Sequence, residues 1–193
     1  MIAEKQDRRV KRTKNLMRSA LMELMDEKPF SEITAKDVTA KADLNRATFY
    51  LHYTNVFALL DEMENEVVEK FAQMLDKLEI RQGEAWEYPL IGHICDYIVE
   101  NPKLCRCLLL QSRSDRLAGK LTEIMKQKGR KVRQERGVNP ESPEAEYIHQ
   151  FIAYGAMGMV KQWLEEGMPL SREEMMMLAE RLTRPILQML VEG

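Results

Sequence analysis

Apolar residues recur at every third or fourth position along most of this chain, and apolar–polar alternation at every second position is nowhere sustained. That pattern limits the fold more than any other feature. It calls for helices that each bury one side, and it leaves no material for a half-buried strand. The tight hairpin dipeptides Asn-Gly and Asp-Gly are absent. Met, Leu, Ala, Glu, Lys and Arg dominate, and all favour helix. The expectation is an all-α protein of roughly nine helices, three short ones at the N-terminus and a larger helical body after them.

Punctuation places the helices. The first spans about Arg8 to Glu27 and ends before Pro29. Thr34 and Asp37 (TAKD) form a capping box at the start of a short second helix ending near Lys41. A third begins near Asn45, and Asn55 caps a long fourth reaching about Leu78. Gly83 to Pro89 reads as a break. Further helices follow at about Leu90–Glu100, Lys103–Gln111 and Asp115–Arg136. VNPESPE (Val138–Glu144), with two prolines, reads as a loop. The last two helices cover about Ala145–Glu166 and Arg172–Val191, with Ser171 and Glu174 forming a second capping box. Pro185 lacks the amide that would bond the Arg181 carbonyl, so it should interrupt or kink the last helix. Domain boundaries are expected at 1–55 and 56–193.

Composition narrows the function. Lys+Arg 29 against Asp+Glu 31 makes the chain nearly neutral, which argues against a nonspecific polyanion binder but permits a local basic patch. No apolar run approaches a membrane span, and the N-terminus is too polar for a signal peptide, so the expected location is the cytoplasm, with no membrane partner. Cys95, Cys105 and Cys107 include no CxxC pair, and two residues apart on a helix point to different faces. They read as small buried hydrophobes. His93 and His149 stand alone. No nucleophile–base pair, HExxH or phosphate loop is present, so no enzyme activity, metal or cofactor is expected.

The short second and third helices, joined by a turn of three or four residues, make a helix-turn-helix over about 33–52. Asp43 falls in the turn, where the left-handed conformation suits Asp better than most residues. From Leu44 onward, Leu44, Ala47, Thr48 and Leu51 share one face, Asn45, Arg46 and the outer edges of Thr48 and Tyr50 face out, and Phe49 and Tyr53 form a stripe that packs on the first helix. Short polar residues at the start of a recognition helix reach base edges. Arg46 suits a guanine edge and Asn45 an adenine. Thr34 is placed for a phosphate. Arg8, Arg9, Lys11, Arg12, Lys14 and Arg18 make either an arm for a duplex backbone or the solvated face of an amphipathic helix.

The stretch ITAKDVTAKADLNRATFYLHYTNVFALL resembles the DNA-binding domain of the tetracycline-repressor (TetR) family of bacterial transcription regulators. That family reads roughly T-x-x-x-I-A-x-x-A-G-V-S-x-x-T-x-Y-x-H-F. Thr34, Val38, Ala42, Leu44, Thr48, Tyr50, His52 and Tyr53 fall on its positions, over residues 8–60. ADLNRATFYLHY also resembles a subgroup that includes regulators of dihydroxyacetone-kinase operons. The resemblance implies that Thr34 contacts phosphate, that Arg46, Ala47 and Thr48 lie nearest the bases, and that Tyr50 and His52 hold the backbone. The chain departs from the pattern at Asp43, where the family has glycine, and at Val56, where it has a phosphate-binding lysine.

The resemblance further implies a homodimer through the last two helices, a palindromic double-stranded operator, and a pocket for a small apolar effector. Gly155, Ala156 and Gly158 are small enough for close helix approach. Met175, Leu178, Ala179, Leu182, Ile186, Met189 and Leu190 form a stripe on the final helix that is wide for a surface helix. Candidate pocket residues are Ile94, Tyr97, Leu108, Leu109, Ile124, Met157 and Trp163; the alternative for each is plain core. The run KQKGRKVRQERG (Lys126–Gly137) reads as a second polyanion site or as an exposed helix end. The leading reading is a ligand-responsive repressor. The alternative is a co-activator of the same fold that binds a protein partner instead of DNA.

Overall fold

The computed structural model describes residues 2–78, 87–110, 114–135 and 143–192. Among these residues the regular structure is entirely helical. The order is α1 (Ile2–Glu27), a single 3₁₀ turn (Phe30–Glu32), α2 (Ala35–Lys41), α3 (Arg46–Tyr50), α4 (Val56–Lys77), α5 (Glu87–Glu100), α6 (Pro102–Leu110), α7 (Ser114–Glu135), α8 (Pro143–Glu165) and α9 (Arg172–Glu192). The chain divides into two compact units, Met1–Val67 and Val68–Gly193.

The first unit packs around Met17, Leu21, Phe49, Leu59, Leu60 and Met63, all fully buried or nearly so. The core of the second includes Leu75, Leu90, Ile98, Leu117, Leu164 and Met175. There α5 packs on α6 and α9, α6 on α7 and α8, and α8 on both α7 and α9. Gly92 sits where α5 meets α9: a Cβ there would come within 2.7 Å of Arg172 Nη2 and Met176 Sδ. Gly129 of α7 likewise admits the His149 ring. The three cysteines are buried, and burial raises the thiols of Cys95 and Cys105 to about 11 and about 12.

Several expectations change. α1 starts at Ile2, not Arg8. Pro89 lies in the first turn of α5 and not in a break, and Pro102 and Pro143 open α6 and α8. First-turn amides have no intrahelical acceptor, so a proline there costs no hydrogen bond. α9 continues through Pro185 to Glu192 and is not interrupted. Its stripe is divided: Met175 and Ala179 are buried within the unit, whereas Leu182 is exposed. The remainder of the expected break at 83–86, the loop at 138–142 and the helix ends at Gln111 and Arg136 lie outside the described residues, as do the side chains of Arg133, Met189 and Leu190.

Both capping boxes form. Thr34 Oγ1 accepts from the Asp37 amide at 3.3 Å, and Ser171 Oγ accepts from the Glu174 amide at 3.2 Å. α8 ends in a paired closure: Met168 N donates to Trp163 O at 2.7 Å and Gly167 N to Leu164 O at 3.3 Å. Gly167 and Met168 both take positive φ, 82° and 62°, which turns the chain into α9. The Trp163 indole donates to Leu170 O at 2.8 Å across this turn.

Candidate nucleic-acid interface

Two local devices fix α2 and α3. At the start of α2, Thr34 N and Oγ1 both donate to Asp37 Oδ2, at 2.9 and 2.8 Å, and Lys28 Nζ adds a third bond at 3.1 Å. The Thr34 backbone bond, then its hydroxyl bond, then Lys28 hold the Asp37 carboxyl down at about 2. The Thr34 hydroxyl proton is therefore committed to Asp37. At the end of α2, Leu44 N donates to Thr39 O at 2.9 Å and Asp43 N to Ala40 O at 3.4 Å, with Asp43 at φ 52°. This is the same closure as in α8, with Asp in the left-handed position usually given to glycine.

α3 has only five residues, too few to hold together by its own hydrogen bonds. Asn45 caps it, its Oδ1 accepting from Ala47 N at 2.8 Å. Phe49 is fully buried and Tyr53, one turn on, nearly so. The Tyr53 hydroxyl donates to Glu62 Oε1 at 2.8 Å. Burial and the adjacent Glu62 carboxylate raise that phenol well above its ordinary range. Packing thus pins the Phe49 side of α3, and the other side is left outward.

On that outward side Asn45, Arg46, Ala47 and Tyr50 are exposed, and Thr48 and His52 are half-buried. Thr34, at the start of α2, is exposed too. Asn45 Oδ1 serves the cap, so of its amide only the Nδ2 donor is uncommitted. Arg46 Nη2 donates to the Tyr50 hydroxyl at 3.2 Å, and its guanidinium lies 5.6 Å from the Tyr50 ring centroid. Leu51, at the end of α3, is 81% exposed and shares no buried face with Leu44. Val56, where the resembling family has a cation, is buried, and Phe57 meets Phe30 edge-on at 5.0 Å.

The basic residues of α1 separate into two groups. Lys14 Nζ donates to Glu62 at 2.6 Å and lies over the Tyr53 ring. Arg18 donates to Glu62 at 3.1 Å and to Glu66 through both terminal nitrogens, one of them at 2.7 Å. Its bond to Glu66 raises the guanidinium further against the opposing pull of burial. Burial pushes Glu62 upward, but the Lys14 and Tyr53 bonds outweigh it and the net shift is downward. Lys14 and Arg18 are therefore not part of a basic arm. Arg8, Arg9, Lys11 and Arg12 are exposed, and no ion pair holds them among the described residues. Lys36, on the first turn of α2, is exposed in the same way; sequence reasoning missed it, although its place two residues after the cap was legible.

The other candidates lie in the second unit. Leu108, Leu109 and Trp163 are buried there; Ile94, Tyr97, Ile124 and Met157 are half-buried. Of the α7 cations, Lys126 and Arg130 both reach Glu146, the latter at 3.1 Å, so this run is partly neutralised. His93 is exposed and His149 half-buried.

A helix-turn-helix unit followed by an all-helical unit is the layout of a DNA-binding transcriptional regulator. Residues 86–185, more than half of the chain, match the TetR_C_8 family, a transcriptional regulator C-terminal region. The chain belongs to the TetR family of transcriptional regulators. An uncharacterized HTH-type transcriptional regulator of Bacillus subtilis, YxbF, is 40% identical over 79 residues, which is 40% of this chain but only 20% of that protein. A TetR transcriptional regulator from Streptococcus agalactiae is 22% identical at TM-score 0.64, covering 94% of this chain and 98% of that one. NalD, the secondary repressor of a Pseudomonas aeruginosa multidrug efflux pump, is 18% identical at TM-score 0.66, covering 92% and 96%. These structures share the fold. Regulators of this family bind DNA and act as dimers, and they are not enzymes. Among the described residues, no helix is long and apolar enough to cross a membrane.

Proposed function

We propose that the chain is a homodimeric repressor that binds a palindromic operator through α3 and is released by a small apolar effector. One observation carries this reading. Around the buried Phe49, α3 leaves Asn45, Arg46, Ala47 and Tyr50 exposed together, on a unit where Arg8, Arg9, Lys11, Arg12 and Lys36 also carry no ion pair among the described residues. Arg46, Ala47 and Thr48 meet base edges, Asn45 with them through its free donor. Tyr50 and His52 meet the backbone, and Thr34, whose amide and hydroxyl protons both go to Asp37, fixes the start of α2 there without donating to phosphate. The five cations supply the attraction that the missing lysine at Val56 does not.

The dimer forms through α8 and α9. Tyr147, Phe151 and Tyr154 stand exposed on α8 at helical spacing, with Gly155 and Gly158 open beside them, and Leu182 is exposed on α9. An apolar face of this kind suits a second copy related by a two-fold axis. The effector is placed among Ile94, Tyr97, Leu108, Leu109, Ile124, Met157 and Trp163. The Trp163 N–H is already bonded to Leu170, so its ring offers only apolar surface, which favours an apolar ligand.

The test is selection of duplexes from a random pool by the full chain. Enrichment of an inverted repeat with half-site centres about 34–36 Å apart is expected. Absence of any enriched sequence would overturn the operator reading and favour the protein-partner alternative.

A further inference from the structure

Arg46 has one partner among the described residues, and it is Tyr50. The contact is double. Nη2 donates to the phenol oxygen at 3.2 Å, and the guanidinium carbon is 5.6 Å from the ring centroid, so the cation lies toward the hydroxyl end of the ring face. The ring is itself held. It meets Phe49 edge-to-face at 5.6 Å, with the planes 82° apart, and Phe49 is fully buried. A continuous line of contacts therefore runs from the core through Tyr50 to the Arg46 guanidinium. No carboxylate competes from the sequence around it: between Asp43 and Asp61 there is no acidic residue.

We infer that Tyr50 is a positioning residue for base recognition, a platform that holds the Arg46 guanidinium ready to pair with a guanine edge. This inference rests on the reading of α3 as the recognition helix. The physical reason is entropic and geometric. A guanine edge is read by two parallel hydrogen bonds that need the guanidinium plane in a fixed orientation. A free arginine must lose several rotatable bonds to reach that pose. Stacked on Tyr50, it has lost part of that freedom already. The phenol oxygen also accepts a hydrogen bond from Nη2, which leaves the remaining guanidinium donors to face the base. A Tyr50 that served the phosphate backbone alone would owe nothing to Arg46.

The test is a double-mutant cycle on the full-length protein, read as the preference for guanine over adenine at the most discriminating G·C pair of duplexes selected from a random pool. Arg46→Ala should lower that preference by about 5- to 150-fold. Tyr50→Ala should lower it by roughly 2- to 5-fold when Arg46 is present, and by less than about 2-fold in the Arg46→Ala background. Tyr50→Phe, which keeps the ring on Phe49, should lose less than Tyr50→Ala. Arg46→Lys should weaken the preference while leaving the salt dependence of binding unchanged, because charge is retained and the planar fork is not. Equal losses from Tyr50→Ala in both backgrounds would overturn the positioning role, because Tyr50 would then act on the preference without Arg46. No change of preference in Arg46→Ala would instead overturn the placement of α3 on the bases.

Discussion

Among the described residues, the first unit gathers unpaired cations along α1 and at the start of α2, and the second exposes a row of aromatic side chains on α8. In the first, Arg8, Arg9, Lys11, Arg12 and Lys36 are exposed without an ion pair among the described residues. In the second, Tyr147 is 79% and Phe151 67% exposed, one turn apart on α8, with Tyr154 next on the same side. The two surfaces call for different occupants. Unpaired cations lose little by staying in water and gain from a polyanion by releasing its counterions. A row of aromatic side chains gains only where water is excluded, at roughly 25 cal/mol per Å² of apolar surface. On the proposed reading, the difference separates recognition of DNA from recognition of a second copy, and each can be disrupted alone.

Phe151→Glu should have the largest effect. It places a charge at the middle of the α8 row, and leaving it unpaired on association costs about 3–5 kcal/mol. Sedimentation at micromolar concentration should show a folded monomer where the native chain dimerises. Persistence of the dimer would mean that α8 is not at the two-fold axis. The complementary change is Arg8→Gln with Arg9→Gln and Arg12→Gln. The slope of log K against log salt should fall by roughly 0.9 for each phosphate that is no longer neutralised. Lys14→Gln and Arg18→Gln should leave that slope unchanged, since both side chains are tied to α4 carboxylates. Fluorescence anisotropy on selected duplexes measures both. A smaller effect is expected of Tyr53→Phe, which strips a hydrogen bond from the part-buried Glu62 and should cost about 1–1.5 kcal/mol in urea unfolding.

The division between Arg12 and Lys14 shows what was readable in the sequence and what was not. Features settled within a few residues were legible: the Thr34–Asp37 and Ser171–Glu174 boxes, the Asn55 cap, and the left-handed Asp43. Phe49 and Tyr53 were legible as core because they sit one turn apart beside polar neighbours. The pairing of Lys14 with Glu62 and of Arg18 with Glu66 spans 48 residues in each case, and no local pattern specifies it. Periodicity also shows that a helix has an apolar side without showing what covers it. Hence Met175 and Ala179 proved to be internal core while Leu182 of the same stripe is exposed. Leu51 failed for a related reason: α3 ends at Tyr50, so the face projected from Leu44 does not extend to it.

The two capping boxes sharpen the comparison most finely, because each unit has one and their surroundings differ. Asp37 has its carboxyl lowered from 3.8 to about 2, and Glu174 is lowered as well, first by the Ser171 amide and then by its hydroxyl. A carboxyl depressed in the folded state adds stability above its unfolded value and loses it as pH falls through the folded one. The Asp37 contribution should therefore be complete above about pH 4 and vanish near pH 2. Melting curves of the native chain and Asp37→Asn should differ at neutral pH and converge across that window. Lys28 adds a cation to the Asp37 box, whereas no cation contributes to the downward shift of Glu174. The gap between the native chain and Asp37→Asn should accordingly narrow in concentrated salt, and that between the native chain and Glu174→Gln should hardly respond. Equal salt responses would mean that Lys28 does not act on Asp37 in solution, and that the two boxes depend on backbone and hydroxyl bonds alone.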